Sequence, residues 1–385
     1  MVSDDQVLKS PSTIRVLHVL GRMNRGGAEL RTIEVLRHLA PTGIRADVLA
    51  LSGEPGELDD EIVRLGGEVI LLRRGVDFHR RLNEIIRAGG YAAVHSHVHH
   101  YSGVLLRAAE RAGIPVRVAQ YHSLDDGQGN GLPRRLYRWW MRRLVDRSAT
   151  AILGVSRSVL AANWPGHEGD PRCQVIYNGV DDAAFAQARP RDEVRAQLIG
   201  PDHAACRLVI HVGNLTPPKN HDLLLATFDE LARSHGDVHM VLVGRGEPAA
   251  EASLRQRIAA SPHPARLHFL GGRSDIASLL LAADVFLFPS MREGLPGALV
   301  EACAAGLPCL ASDIGPCREV AESISRVRIQ PLAAGPSHWA EALVDLMRTT
   351  PRVSVADAAL LVRTAGFSLA GASRCYAALW CMEAR

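Results

Sequence analysis

Glu293-Gly-Leu-Pro-Gly-Ala-Leu-Val-Glu301 lies between an apolar run, Asp284-Val-Phe-Leu-Phe-Pro-Ser290, and a small-residue run, Ala302-Cys-Ala-Ala-Gly-Leu-Pro308. The three together read as strand, short loop and helix. That order points a helix N-terminus at whatever occupies the loop. Such an end carries free N–H groups and roughly half a positive charge, so it suits phosphate. Gly294 and Gly297 would let the backbone approach a ligand closely. Glu293 and Glu301 have seven residues between them. On one continuous helix they would stand about 12 Å apart, from a rise of about 1.5 Å per residue. The paired carboxylates of glycoside hydrolases stand at roughly 5–9.5 Å, so this spacing argues against a hydrolase pair. It suits two polar contacts at opposite ends of a long ligand. Taken alone, the pair reads equally as an N-terminal helix glutamate and a solvated one.

Working outward, strand and helix alternate almost throughout, which predicts an α/β protein with parallel sheets. Ile14–Leu20 reads as the first strand, Gly21–Gly27 as a turn and Ala28–Leu39 as a helix. Further strands are predicted at 47–51, 68–72, 92–95, 116–119, 151–155 and 173–176. A more polar, helix-like stretch covers 181–205. The pattern then restarts at Arg207–Gly213, with strands at 238–243, 266–270, 284–288 and 308–311. This predicts two doubly wound, Rossmann-like halves facing an interdomain cleft at the carboxyl ends of their strands, where such folds bind ligands. The expected division is residues 1–190, an acceptor-side domain; 191–365, a donor domain; and 366–385, a terminal helix packing back towards the first.

The 385-residue chain is long enough for two or three domains. It is 47% hydrophobic and 22% charged, as soluble globular proteins are. A net charge of +3 is too small to imply nucleic-acid binding. No run reaches the roughly 18 apolar residues of a membrane span. Met1–Ser12 is polar and does not read as a signal peptide. Seven dispersed cysteines without a C-x-x-C pair predict a reduced, cytoplasmic protein. Cys303, Cys309 and Cys317 read as small core residues.

Several motifs carry chemistry. Gly21-Arg-Met-Asn-Arg-Gly-Gly-Ala-Glu29 is not G-x-G-x-x-G, so a nicotinamide fingerprint fails, while Gly26-Gly27 before a helix suits a phosphate loop or a plain turn. Val212-Gly-Asn-Leu-Thr-Pro-Pro-Lys219 puts a lysine at the next helix start, where it can meet a phosphate or only solvent. Val243-Gly-Arg-Gly-Glu247 repeats the strand-then-glycine pattern. His95-Ser-His97-Val-His99-His100 ends a strand, and alternation places His95, His97 and His99 on one face. It falls one residue short of a zinc-hydrolase motif, and polar residues at a strand end explain it as well. His122 follows another strand. Residues 132–147 form a basic, aromatic helix with Leu132, Leu136, Trp140 and Leu144 on one face and Arg134, Arg138 and Arg142 beside them. Such a helix can lie on an anionic membrane or pack its apolar face into a core.

In this order, these motifs resemble the family 4 retaining glycosyltransferases with the GT-B fold, most closely those of bacterial exopolysaccharide and capsule synthesis. The resemblance spans about residues 14–320. Its most specific element is E-x7-E, here Glu293 and Glu301 within Phe288-Pro-Ser-Met-Arg-Glu-Gly-Leu-Pro. Gly26-Gly-Ala-Glu29, the His-x-His strand end with Ser102-Gly103, Ile176-Tyr-Asn-Gly-Val-Asp181, Lys219-Asn-His221 and Leu270-Gly-Gly-Arg-Ser-Asp-Ile276 support it. The resemblance implies metal-independent, cofactor-free transfer of a sugar from a nucleotide diphosphate, with a uridine nucleotide favoured. Glu293 would contact the donor sugar and Glu301 the ribose. The backbone at Gly294, Leu295, Pro296 and on to Ala298, with Gly213 and Gly244, would line the donor. Lys219 would bind the diphosphate, Arg273 would meet the base, His122 the sugar, and Gly26 and Gly27 the diphosphate. Asn214 stands where the family usually has arginine, which removes a bidentate cation. The implied acceptor is a saccharide, an aglycone or a lipid-linked glycan, and the implied location is cytoplasmic, with the 134–147 helix able to engage the inner face of a membrane. A nucleotide-sugar 2-epimerase or a non-catalytic nucleotide-sugar-binding subunit would share the fold.

Overall fold

The computed structural model describes residues 14–201 and 205–382. The polar stretch read as lacking a signal peptide, Met1–Ser12, lies outside the described residues. The chain forms two compact units, 1–177 with 369–385, and 178–368.

The first unit holds a seven-stranded sheet: β1 Ile14–Leu20, β2 Ile44–Ala50, β3 Val69–Leu71, β4 Ala93–Ser96, β5 Val116–Tyr121, β6 Ala151–Gly154 and β7 Cys173–Val175. Its order is β3-β2-β1-β4-β5-β6-β7 and all pairs are parallel. The central strands carry Val, Ile, Leu and Ala on both faces because helices cover both faces. The second unit holds six strands: β8 Arg207–Val212, β9 Val238–Val243, β10 Leu267–Phe269, β11 Val285–Phe288, β12 Cys309–Ser312 and β13 Val327–Gln330. They run parallel in the order β10-β9-β8-β11-β12-β13. Each sheet therefore starts in its middle and winds outward both ways, which leaves a switch point beside β1 and beside β8. Cys303, Cys309 and Cys317 are buried in the second unit.

The chain enters the second unit after Tyr177, ahead of the boundary expected at 190. The reason is a set of buried polar contacts that sequence patterning does not register. Val180 N–H donates to the Phe367 carbonyl at 2.9 Å. Arg189 N–H donates to Ser278 Oγ at 3.0 Å. Arg195, almost wholly buried, donates to the Ala282 carbonyl at 2.8 Å and to Asp284 at 3.1 Å. Arg191 also reaches Asp284. Two arginines thus hold the first residues of the unit to the last turn of the helix Ile276–Ala282.

After Ser368 the chain returns to the first unit. Helix Leu369–Trp380 packs on helix Gly27–Leu39, and Leu369, Ala372, Tyr376 and Trp380 join the core of β1, β2 and β4. Trp380 Nε1–H points at His95 Nδ1, 3.3 Å away, and the Tyr376 hydroxyl accepts from Gln120 at 2.7 Å.

Helix Leu132–Ser148 meets the core-facing alternative only in its C-terminal half, which packs on helix Ser102–Arg111. It buries Met141, Val145 and Ser148, while Leu132, Leu136, Trp139 and Trp140 stay exposed, Leu132 at 77% and Trp140 at 55%. Its arginines are not simply solvated either. Arg134 and Arg138 both donate to Asp126, and Arg142 lies over the Trp164 ring at 5.1 Å.

Truncating Trp380 removes a fully buried indole and its N–H donor. Trp380→Ala is expected to cost about 3–5 kcal/mol, read from the urea transition of the full chain. A loss below about 1 kcal/mol would show that the terminal helix contributes little to the first unit.

Candidate functional site

In the second unit the polar site forms where β8, β9, β10 and β11 end. Three loops are stitched together by backbone: Gly213 N–H donates to Val243 O at 2.9 Å, Gly244 N–H to Gly271 O at 2.9 Å, and Leu215 N–H to Arg245 O at 2.7 Å. A side chain at Gly244 would collide with the Gly213 carbonyl. Glycine there is a packing requirement and keeps the floor flat.

Lys219 ends the short turn Pro217–Lys219, and Glu293 lies in the loop after β11. Met291 N–H donates to Pro218 O at 2.7 Å and pins the two loops together. The result is an ion pair, Lys219 Nζ to Glu293 Oε1 at 2.6 Å, with both side chains largely withdrawn from water. The ammonium also lies 5.2 Å from the centroid of the Phe288 ring. Beside this pair, Pro296 caps helix Gly297–Ala304, and Glu301 lies one turn inside it, half-buried. The Gly297 N–H is taken by the Leu295 carbonyl at 2.9 Å, so the loop already uses one donor that sequence reading gave to the ligand. Asn214 is exposed at the end of β8. Arg273 is engaged by its neighbour: Nε and Nη2 fork onto Asp275 at 2.8 and 2.7 Å, an acceptor that Arg189 shares. Of the second-unit residues singled out from sequence, Lys219, Glu293, Gly213 and Gly244 share one site.

In the first unit, Gly26 caps helix Gly27–Leu39. A side chain at Gly26 would run into Glu29, while Gly27 faces open space. His122, just past β5, is the end of a hydrogen-bonded line. Its Nε2 meets His97 Nδ1 at 2.8 Å, and His97 Nε2 meets His18 Nδ1 at 2.9 Å. Burial pushes His18 down to about 3 and His122 to about 4, and it lowers His97 as well. The three are therefore neutral imidazoles, and His97, in the middle, donates one of the two bonds and accepts the other. The line fixes the His122 ring and leaves Nδ1 as its outward atom. Nothing in the spacing of 18, 97 and 122 could reveal it, because three different strands supply them.

The histidine run does not keep to one face. His95 and His97 cluster with His18, but the chain turns at His99, which takes a left-handed φ of 54° and opens the turn His99–Tyr101. His99 and His100 then gather near Asp126. Both sets have nitrogen or oxygen atoms within 4.8 Å of one another, a spacing a metal could use. Their hydrogen bonds argue otherwise. His18 and His97 bind each other, Trp380 donates towards His95, and the Asp126 oxygens already accept from two guanidiniums.

Two doubly wound units, one with a lysine–glutamate pair beside a helix N-terminus, are the arrangement of the GT-B fold, on which glycosyltransferases are built. Residues 25–184 match the model of Glycosyltransferase Family 4, and 206–349 that of Glycosyl transferases group 1. The chain is 34% identical over 311 residues to EpsF of Bacillus subtilis, a protein named as a glycosyltransferase, covering 78% of this chain and 79% of that one. It is 26% identical to the capsular polysaccharide biosynthesis glycosyltransferase CapH of Staphylococcus aureus, over 89% and 94% of the two chains. HepE of Anabaena, solved with UDP and glucose, superposes with a TM-score of 0.75 at 21% identity, covering 95% of this chain and 98% of its own. The chain belongs to the family 4 glycosyltransferases, and its fold is GT-B.

The buried histidines set a pH dependence of stability. His18 and His95 have folded values far below the ordinary 6.5, because burial opposes their charged forms. The unfolded chain then binds more protons below about pH 6.5, so stability is full above that and falls as pH drops. Between about pH 7 and pH 5 each should remove on the order of 2 kcal/mol. Urea midpoints at the two pH values check this; equal midpoints would refute it.

Proposed function

We propose that this chain is a retaining, metal-independent hexosyltransferase. It moves a sugar from a nucleotide diphosphate, UDP in the favoured case, to a saccharide or lipid-linked acceptor in polysaccharide synthesis. The Lys219–Glu293 pair carries the reading. A departing nucleoside diphosphate gathers negative charge, and a positioned ammonium beside a helix N-terminus stabilises it. HepE, solved with UDP and glucose, supports a uridine nucleotide. The C1–O bond to the diphosphate breaks and a bond from the acceptor oxygen to C1 forms on the same face. The acceptor proton passes to the departing phosphate oxygen. Glu293 contacts the sugar, Lys219 the diphosphate and Glu301 the ribose. His122 contributes a neutral imidazole to the sugar. Arg273 reaches the base only after releasing Asp275.

The exposed Leu132, Leu136, Trp139 and Trp140, set among arginines on one helix, suit the interface of an anionic bilayer. The chain would then work at the cytoplasmic face of a membrane. Among the described residues no helix is long and apolar enough to cross one.

Lys219 pairs with Glu293, so the two substitutions should diverge. Lys219→Ala should weaken UDP binding by about 1.5–3 kcal/mol. Glu293→Gln frees the ammonium and should bind UDP at least as tightly as wild type, while turnover falls by a factor of about 100 or more. Calorimetry and a transfer assay test this, and weaker UDP binding by Glu293→Gln would overturn the pairing argument. UDP binding with no transfer to any acceptor would favour a binding subunit, for which Asn214 is the motive. Liposomes rich in anionic lipid should sediment the wild-type chain and release the Trp139→Ala/Trp140→Ala variant. Failure of wild type to sediment removes the membrane role.

A further inference from the structure

The line His18, His97, His122 can run in two directions. Each neutral imidazole carries one N–H, on either of its nitrogens. In one direction His18 Nδ1–H donates to His97 Nε2, and His97 Nδ1–H donates to His122 Nε2. The proton of His122 then sits on Nδ1, the outward atom. In the other direction both bonds reverse, and His122 turns a bare lone pair outward. The bonds measure 2.9 and 2.8 Å, lengths that suit either direction. Because the rings are linked in series, fixing one end fixes the other.

The inner end makes the choice. His18 is 2% exposed, and its Nε2 is buried without a partner. In the first direction that atom is a bare lone pair, and in the second it is an N–H. Buried N–H groups without partners are rarer in folded proteins than under-used acceptors. The neighbouring ring sharpens the preference. An indole nitrogen only donates, and Trp380 Nε1–H points at His95 Nδ1, 3.3 Å away. The proton of His95 is therefore on Nε2, which is also buried without a partner. The His18 and His95 ring centroids are 5.1 Å apart. One unpaired N–H is thus already enclosed here. A lone pair on His18 sets opposite polarity beside it, whereas a second N–H would double the deficit. Trp380 also stands edge-to-face with His18, at 5.2 Å and 89°. An N–H on an indole face is a second-order contact, too weak to reverse the choice.

The outer end carries the consequence. His122 follows β5 and is half-buried, and among the described residues no protein group meets its Nδ1. A protonated Nδ1 and a bare one do opposite things to a sugar. The N–H grips an oxygen lone pair and cannot take a proton. The bare nitrogen would be a general base.

We propose that His18 and His97 are positioning residues that hold His122 as its Nδ1–H tautomer, so that His122 gives the substrate sugar a hydrogen-bond donor and does not act as a base. The word substrate rests on the transferase reading; the tautomer does not. His18 and His97 act on the reaction only through the His122 ring.

The test reads the tautomer itself. The full chain is labelled with 15N in its histidine rings, and long-range 1H–15N correlation near neutral pH separates protonated from bare ring nitrogens. Signals missing from His122→Ala assign the His122 ring. In wild type it should show a protonated Nδ1 and a bare Nε2. A bare Nδ1 would overturn the proposal, and that result needs no variant of the line. His97→Leu removes the donor to His122, whose proton should move towards Nε2. Turnover should then fall about tenfold or more, with UDP affinity kept within about twofold. An unchanged His122 ring in His97→Leu would overturn the positioning role, and a changed ring with unchanged turnover would overturn the role on the sugar. His18→Leu removes only the inner end and should leave His122 as a mixture of both tautomers. An unchanged ring there would exclude His18 from the line. Zinc carried by the full chain and lost in His18→Leu would show that the lone pairs meet a metal, and would also overturn the proposal. If wild type shows the Nδ1–H tautomer but transfers sugar to no acceptor, the transferase reading fails and the tautomer stands.

Discussion

The second unit depends on the position of β8. It pairs with β9 along its whole length and with β11 on its other side, in parallel register. Parallel pairing sends every strand out of the sheet at the same edge, and every following loop must then share that edge. Residues 213, 219, 244 and 293 become neighbours for this reason alone. Their stitching by Gly213, Gly244 and Leu215 N–H groups is local refinement on a placement already set by the sheet. A register slip of one residue at β8 would turn Val209 and His211 together to the other face and disperse the loop ends.

The two units solve opposite electrostatic problems. The first buries histidines and keeps them neutral, linking His18, His97 and His122 to one another. Neutral imidazoles carry no Born penalty and still orient a ring. The second keeps a full charge pair at its site, and it can do so because ammonium and carboxylate are held at 2.6 Å. Breaking such a pair by removing one partner strands the other in a dry place. The first design suits positioning, whereas the second suits receiving charge.

The alternation of strand and helix was legible because the buried parallel strands carry apolar runs, such as Met240–Val243 and Val285–Phe288. Strand β13 was missed, since Val-Arg-Ile-Gln carries too little apolar signal at a sheet edge. The pairing of Lys219 with Glu293 was not legible either. Seventy-four positions separate them, and only the sheet order makes them adjacent. The same holds for Arg195 on Asp284 and for the line His18, His97, His122. The turn at His99 failed for another reason. Alternation assumes that the strand continues, but β4 ends at Ser96 and a left-handed residue redirects the chain. Local pattern reports local structure. The chemistry here is made by residues brought together from different loops.

The pair at the second-unit site bears on how a phosphate could enter. An unpaired lysine in a half-buried loop would draw water and sample many rotamers, and ordering it on binding would cost up to about 2 kcal/mol. Held by Glu293 and packed against Phe288, the ammonium is already ordered. A diphosphate that displaces the carboxylate exchanges one salt link for another, so the net gain is smaller than for a bare cation. Under the proposed role, what is gained is direction: the carboxylate that releases the lysine would be freed beside the donor sugar, where a hydroxyl could take its vacated oxygen. Binding of the diphosphate and orientation of the sugar then become one coupled event. Under the proposed role, the Lys219–Glu293 pair is what links the two.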